Sequence, residues 1–284
     1  MMVGYIVWSC ILIQNPQPIR EKIISARGRE TVADNPAGVE LRTFVSGACG
    51  ATAFSTGTAT FQPGGCLPYH VHGFSEAVTV IEGSARVLVE GRAYRLGPRD
   101  CVHVPAGLAH QVQNDDPAKR LVAHWAFATA NPVRELIDRV FPLDDRGSGD
   151  PHQKDPETIV RCTDDVIYEL SKNAFFCDLF ARRFGSVGIC GGYGRFLPES
   201  SLPCHIHDFD ESITIVQGTA VCLVQGKQYE LSGCDTAFIP KGMPHRFLNK
   251  SNEPMAMVWV YAGSEPDRQI LEAGYCSGEL AWPH

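Results

Sequence analysis

Short runs of alternating or β-branched hydrophobic residues, broken by glycine at intervals of roughly ten residues, set the pattern of this chain. Residues 77–81 (AVTVI), 85–89 (ARVLV) and 213–216 (ITIV) are representative. Strands of that length and spacing predict antiparallel β-structure closed into a sandwich or barrel. Residues 5–8 and 11–13 (YIVW, ILI) predict a further strand near the N-terminus. One segment reads as helix. Asn131 is a capping residue, Pro132 suits the first helical position, and Val133, Leu136, Ile137, Val140 and Phe141 fall on one stripe. A weaker version follows Pro266. Each helix is expected to close its barrel. Residues 142–157 (PLDDRGSGDPHQKDPE) hold a single aliphatic side chain and read as an exposed linker.

Displacing the chain by 135 positions brings its halves into register. Phe61 meets Phe196, His70 and His72 meet His205 and His207, Glu76 meets Glu211, and Gly83 meets Gly218. Pro105, Gly107, His110 and Asn114 meet Pro240, Gly242, His245 and Asn249. At a displacement of 134, Trp125 meets Trp259, Pro132 meets Pro266 and Arg134 meets Arg268. So many unlike residues sharing one offset make the chain a duplicated domain, divided as residues 1–145 and 146–284.

Composition narrows the class. The 284 residues, 44% hydrophobic and 20% charged, suffice for real cores. A net charge of −7 without basic runs argues against nucleic acid and anionic membranes as partners. The apolar residues 1–13 are too few to span a bilayer, and as an export signal they lack a basic start and a cleavage site. Eleven cysteines without a C-x-x-C pair read as small core residues in a reducing cytoplasm. The glycine-rich run 188–194 lacks a G-K-[ST] ending and aligns with a strand, so a phosphate cradle is not expected.

The chemistry lies in the repeated histidines. His70 and His72, two apart on a strand, face the same way, and Glu76 continues that face if the turn at Gly73 keeps the alternation. His110 joins from a distant strand. Three imidazoles and one carboxylate form a mixed nitrogen and oxygen shell for Fe, Mn, Ni, Cu, Co or Zn, with coordination positions left open as a catalytic ion needs. His205, His207, Glu211 and His245 repeat the set.

At these residues the chain resembles the cupins, and with two copies a bicupin. The pattern G-x5-HxH-x3-E-x6-G is met by Gly64, His70, His72, Glu76 and Gly83, and the pattern P-x-G-x-x-H-x-x-x-N by Pro105, Gly107, His110 and Asn114. The second copy departs only at Glu199, where the pattern has glycine. The resemblance implies an all-β chain of two tandem jelly-roll barrels (double-stranded β-helices), each with one divalent transition metal held by its three histidines and glutamate.

Metal cupins with this shell resemble dioxygenases acting on flavonols and β-diketones, so the expected activity is dioxygenation of a small enolic, β-diketone or phenolic compound. A non-redox isomerase, decarboxylase or lyase acting on an oxo-acid or sugar acid is the main alternative, and a non-catalytic binding protein the third. The alternative needs a proton carrier. The candidates are Tyr69, His103 and His124 beside the first site and Asp208, Asp210 and Arg246 beside the second, and Glu76, Glu211 and His103 are the expected catalytic residues; alternation turns Tyr69 and Cys204 away, which discounts both. His103 and His124 read more simply as seam or exterior histidines. A homodimer is expected, through the outer sheets or the N-terminal strand.

Overall fold

The computed structural model describes residues 19–27, 35–163 and 166–283. The strand expected within residues 5–13 lies outside them. The rest is almost entirely antiparallel β-structure in four sheets, two to each half. In the first half a six-stranded sheet runs Thr158–Val160, Cys101–Val104, Glu76–Glu82, Leu121–Phe127, Ser55–Phe61, Val39–Val45. It faces a second sheet containing Cys66–Val71, His110–Gln113, Ala85–Val89 and Arg92–Leu96. The second half repeats this plan, and each pair of sheets closes into a jelly-roll barrel.

Alternation fixes which side chains fill each barrel. Val78, Val80, Val87, Val102, Val112 and Trp125 point inward in the first. Ile213, Ile215, Phe176, Phe247, Met257 and Trp259 do so in the second. The opposite faces of the two larger sheets pack on each other, with Phe44, Phe54, Ala77 and Ala126 against Leu179, Phe180, Phe238 and Val258. Thr56 Oγ1 and Ser212 Oγ share a hydrogen bond of 2.9 Å across this seam. The halves also exchange edge strands: Lys22–Ile24 pairs with Thr236–Ile239 of the second barrel, and Thr158–Val160 with Cys101–Val104 of the first.

The glycine-rich run lies in the strand Cys190–Phe196, and its glycines make room for rings. A Cβ at Gly192 would stand 2.2 Å from Cys177 O and 2.8 Å from the Trp259 indole, and one at Gly194 2.8 Å from the Phe176 ring.

Three expectations are corrected. Residues 131–141 form no helix. They run extended, and Glu135–Leu136 pairs antiparallel with Val71 and His70. The Ile137 amide donates to Tyr69 O at 2.9 Å, so the free edge of Cys66–Val71 competes successfully for the backbone. After the second barrel a helix does occur, but only as Ala273–Ser277. The linker is not simply exposed. Asp144–Gly147 pairs in parallel with Arg92–Leu96, and Glu157, 1% exposed, takes two hydrogen bonds from Arg92 and one from Tyr94 Oη. Its charges anchor it. Finally, Cys204 and Cys276 form a disulfide, which ties the short helix to the second barrel. Most of the remaining described cysteines are buried and free, as expected of core residues.

Candidate metal centres and the pocket of the first barrel

Each donor is placed by its strand. His70 lies on Cys66–Val71, His72 just past its end, Glu76 at the start of Glu76–Glu82, and His110 at the start of His110–Gln113. The turn at Gly73 keeps the alternation, so Glu76 shares the inward face of Val78. Their ligand atoms lie within 4.8 Å of one another, and all four residues are buried. His205, His207, Glu211 and His245 form the same group in the second barrel.

The hydrogen bonds around each group fit a metal ion. His70 Nδ1 donates to Pro68 O at 2.8 Å, His72 Nδ1 to Val133 O at 2.8 Å and His110 Nδ1 to Leu108 O at 2.9 Å. A carbonyl only accepts, so each Nδ1 carries the proton and each Nε2 presents a lone pair to the centre. Pro203, Asp267 and Met243 carbonyls hold His205, His207 and His245 in the same way. Glu76 Oε2 stands 2.6 Å from His110 Nε2, 3.2 Å from His72 Nε2 and 4.0 Å from His70 Nε2. Acceptors this close repel unless a cation lies among them. In the second barrel His207 Nε2, His245 Nε2 and Glu211 Oε2 are buried without a hydrogen-bond partner among the described residues. Each barrel thus carries a site for one divalent transition metal.

Electrostatics agree with that assignment. Burial, and then the neighbouring His110, push the His70 pKa down to about 3, which keeps it a neutral ligand. Burial would raise the Glu76 carboxyl, but His110 and His72 outweigh it and hold the group well below its ordinary value. His207 and His245 do the same for Glu211.

The motif residues without ligand atoms are structural. Asn114 Nδ2 donates to Phe61 O, Gln62 O and Lys119 O, and Asn249 Nδ2 to Phe196 O and Glu253 O, tying loops to the barrel rim. A Cβ on Gly83 would lie 2.4 Å from Arg120 O, and the backbone there has φ +83°. Only glycine fits.

The two interiors differ. In the first barrel a cavity of about 290 Å³ opens onto His70, His72 and Glu76. Its other described walls are apolar, with Phe61, Val78, Trp125 and Phe127 prominent, and among the described residues only Thr43 and Arg134 add polar side chains apart from the Trp125 indole. In the second barrel, Leu41, Val112 and Ala123 of that cavity are matched by Phe176, Phe247 and Met257, all packed into the core.

The proposed proton carriers are mostly elsewhere. His103 and His124, each 1% exposed, share the seam face of Cys101 and Ala126, away from the ligands. Tyr69 also turns away and accepts from the Gly91 amide. Cys204 is engaged by Cys276. Asp208 is exposed, and Asp210 accepts from Thr52 Oγ1 and the Lys241 amide. Arg134 was missed as a site residue because its segment read as helix; the repeated P-x-R of Pro132–Arg134 and Pro266–Arg268 is the signal that marks it.

Comparison with known proteins accords with this geometry. A family model described as a cupin domain matches residues 57–127 and 192–261. The chain is similar to polyketide synthase CurC of Streptomyces cyaneus, 26% identical over 148 residues covering 48% of this chain and 95% of the relative. It is also similar to the tetracenomycin polyketide synthase protein TcmJ of Streptomyces glaucescens, 27% identical over 89 residues, which are 30% of this chain and 60% of that protein. Among solved structures, a mutant oxalate decarboxylase of Bacillus subtilis superposes with TM-score 0.71 at 16% identity, over 89% of this chain and 79% of the other. A formate complex of the Lactobacillus farciminis oxalate decarboxylase gives TM-score 0.70 at 15% identity, over 91% and 90%.

Proposed function

Given that the chain belongs to the cupin superfamily, as a bicupin with a complete donor set in each barrel, we propose that it is a metal-dependent dioxygenase whose substrate enters the first barrel. The substrate we assign is a small enolic, β-diketone or phenolic compound. One observation carries the reading: the cavity over His70, His72 and Glu76 is walled almost entirely by apolar and aromatic side chains. When bound, the ion would supply Lewis acidity that favours the ionised form of an enol or phenol and, if redox-capable, a route for electrons to dioxygen. The chain's own residues hold the ring of the substrate between apolar walls and exclude water. Glu76 is the carboxylate facing the pocket, and Glu211 its counterpart in the second barrel. His103 faces the seam and is assigned no contact with substrate. The two relatives named as polyketide synthase proteins support the substrate class, since polyketides are built from enolisable carbonyl groups.

The second reading is decarboxylation, favoured by the likeness of fold to oxalate decarboxylases. A small dicarboxylate would leave most of the apolar wall uncovered, which places this reading second. We also propose a homodimer. Its support is the exposed apolar edge formed by Leu136, Val140 and Leu143, 64%, 94% and 61% exposed. Among the described residues no helix is long and apolar enough to cross a membrane. A reducing cytoplasm stays a proposal, and the Cys204–Cys276 bond is the observation against it.

Elemental analysis of protein purified without chelators is the first test, with about two metal equivalents per chain expected, one for each donor set. His72→Ala combined with His110→Ala should remove the ion of the first barrel, leave the second loaded and abolish activity. Oxygen uptake with enolic and catecholic compounds then decides the chemistry. Carbon dioxide release from an oxo-acid without oxygen consumption would favour the second reading.

A further inference from the structure

Among the described residues, Arg134 is the one cationic side chain lining the cavity of the first barrel. Its position is fixed from both sides. The preceding carbonyl, Val133 O, accepts from His72 Nδ1, and the following residue, Glu135, pairs with Val71. Arg134 is therefore held alongside the strand that carries the metal ligands. It is half-buried, and no carboxylate or other side chain pairs with it among the described residues.

Charge in the pocket needs balancing. Three neutral imidazoles and one carboxylate leave a divalent ion with one positive charge uncompensated, and Arg134 adds another inside apolar walls. Positive charge in such surroundings is costly unless paired. A ligand with one ionised oxygen at the ion and a second anionic group on the guanidinium would satisfy both. A guanidinium also donates two parallel hydrogen bonds to the two oxygens of a carboxylate, a geometry that no other described side chain lining the cavity offers.

We propose that Arg134 is the specificity-determining residue of the first barrel, and that the substrate is an aromatic or enolic acid whose carboxylate it binds while the enolic or phenolic oxygens face the metal site. This rests on the reading of the first barrel as the substrate site. Arg268 repeats the residue in the second barrel, beside Asp267, whose carbonyl holds His207. There Phe176, Phe247 and Met257 take up the space a substrate ring would need, so the second arginine binds no substrate.

The test uses cobalt(II)-loaded protein under anaerobic conditions, titrated with 3,4-dihydroxybenzoate and with 4-methylcatechol while the visible spectrum of the metal is followed. The wild-type protein should bind the acid at least about tenfold more tightly than the neutral catechol, as a charge-assisted pair implies. Arg134→Gln should erase that preference by weakening the acid alone, and Arg134→Lys should restore part of it, with metal content and melting temperature unchanged in both. If Arg134→Gln leaves the preference intact, or the wild type shows none while still binding both catechols, the role of Arg134 is overturned and the first barrel remains the substrate site. If neither compound perturbs the spectrum of the fully loaded wild type, both readings fall.

Discussion

Glu199 occupies the position at which the first copy has Gly64, and the structure shows that the turn is unchanged: φ is +59° at Glu199 and +77° at Gly64. The second copy thus keeps a left-handed turn with a residue that resists it. No atom lies within 4 Å of a Cβ built on Gly64, so the difference between the copies is one of backbone preference rather than crowding. Glu199→Gly is expected to raise stability by about 0.5–1 kcal/mol, read as a higher denaturant midpoint at unchanged slope. A lower midpoint would show that the Glu199 side chain itself stabilises the turn. At this scale the sequence was highly legible. The donors His70, His72, Glu76 and His110 could be placed on one face because strand alternation and a short motif define them locally. Arg134 could not, because its placement depends on a backbone conformation set by a partner strand far away in sequence.

Segment 131–141 shows where such local reasoning fails. Its apolar spacing suits a helix, yet burial shows that the stripe is not a core face: Val133 and Val140 are 74% and 94% exposed. Pairing with Cys66–Val71 and the bond from His72 to Val133 O decide the conformation instead. The linker misled for the opposite reason, since polar composition concealed a packed ionic network around Glu157 and Arg146. Comparable strands in the two barrels also differ in a way that spacing cannot reveal, because small and large apolar residues look alike in a hydrophobic pattern. Ala123→Met copies the second barrel into the first and should block the cavity. Both metal equivalents should remain while catechol binding falls at least about tenfold; undiminished binding would place the ligand elsewhere. Met257→Ala, in the filled barrel, should cost about 2–5 kcal/mol and leave binding in the first barrel unchanged.

For the molecule as a whole, the two barrels are joined by exchanged edge strands and a common buried seam. That seam contains His103 and His124, where the second copy has Phe238 and Val258. Both nitrogens of His103 and Nε2 of His124 are buried without a hydrogen-bond partner among the described residues. Burial alone lowers the pKa of His103 to about 4 and that of His124 to about 3, from an ordinary value of 6.5. A histidine with a depressed folded-state pKa is neutral in the native protein, while the unfolded chain takes up a proton as the pH falls below 6.5. The stability attached to each neutral ring is therefore complete above that pH and is lost progressively toward pH 4 for His103 and pH 3 for His124, by about 3–5 kcal/mol per histidine in all. Carboxylates at the metal sites also contribute to acid lability, so the comparison must be internal. His124→Val and His103→Phe, the residues of the second copy, remove the titrating groups and leave the metal ligands intact. Denaturant midpoints measured at pH 7 and pH 4.5 should differ less in the double variant than in the wild type, by several kcal/mol when converted through the slope. An equal loss in both proteins would mean that the seam opens to water before these histidines feel the change in pH.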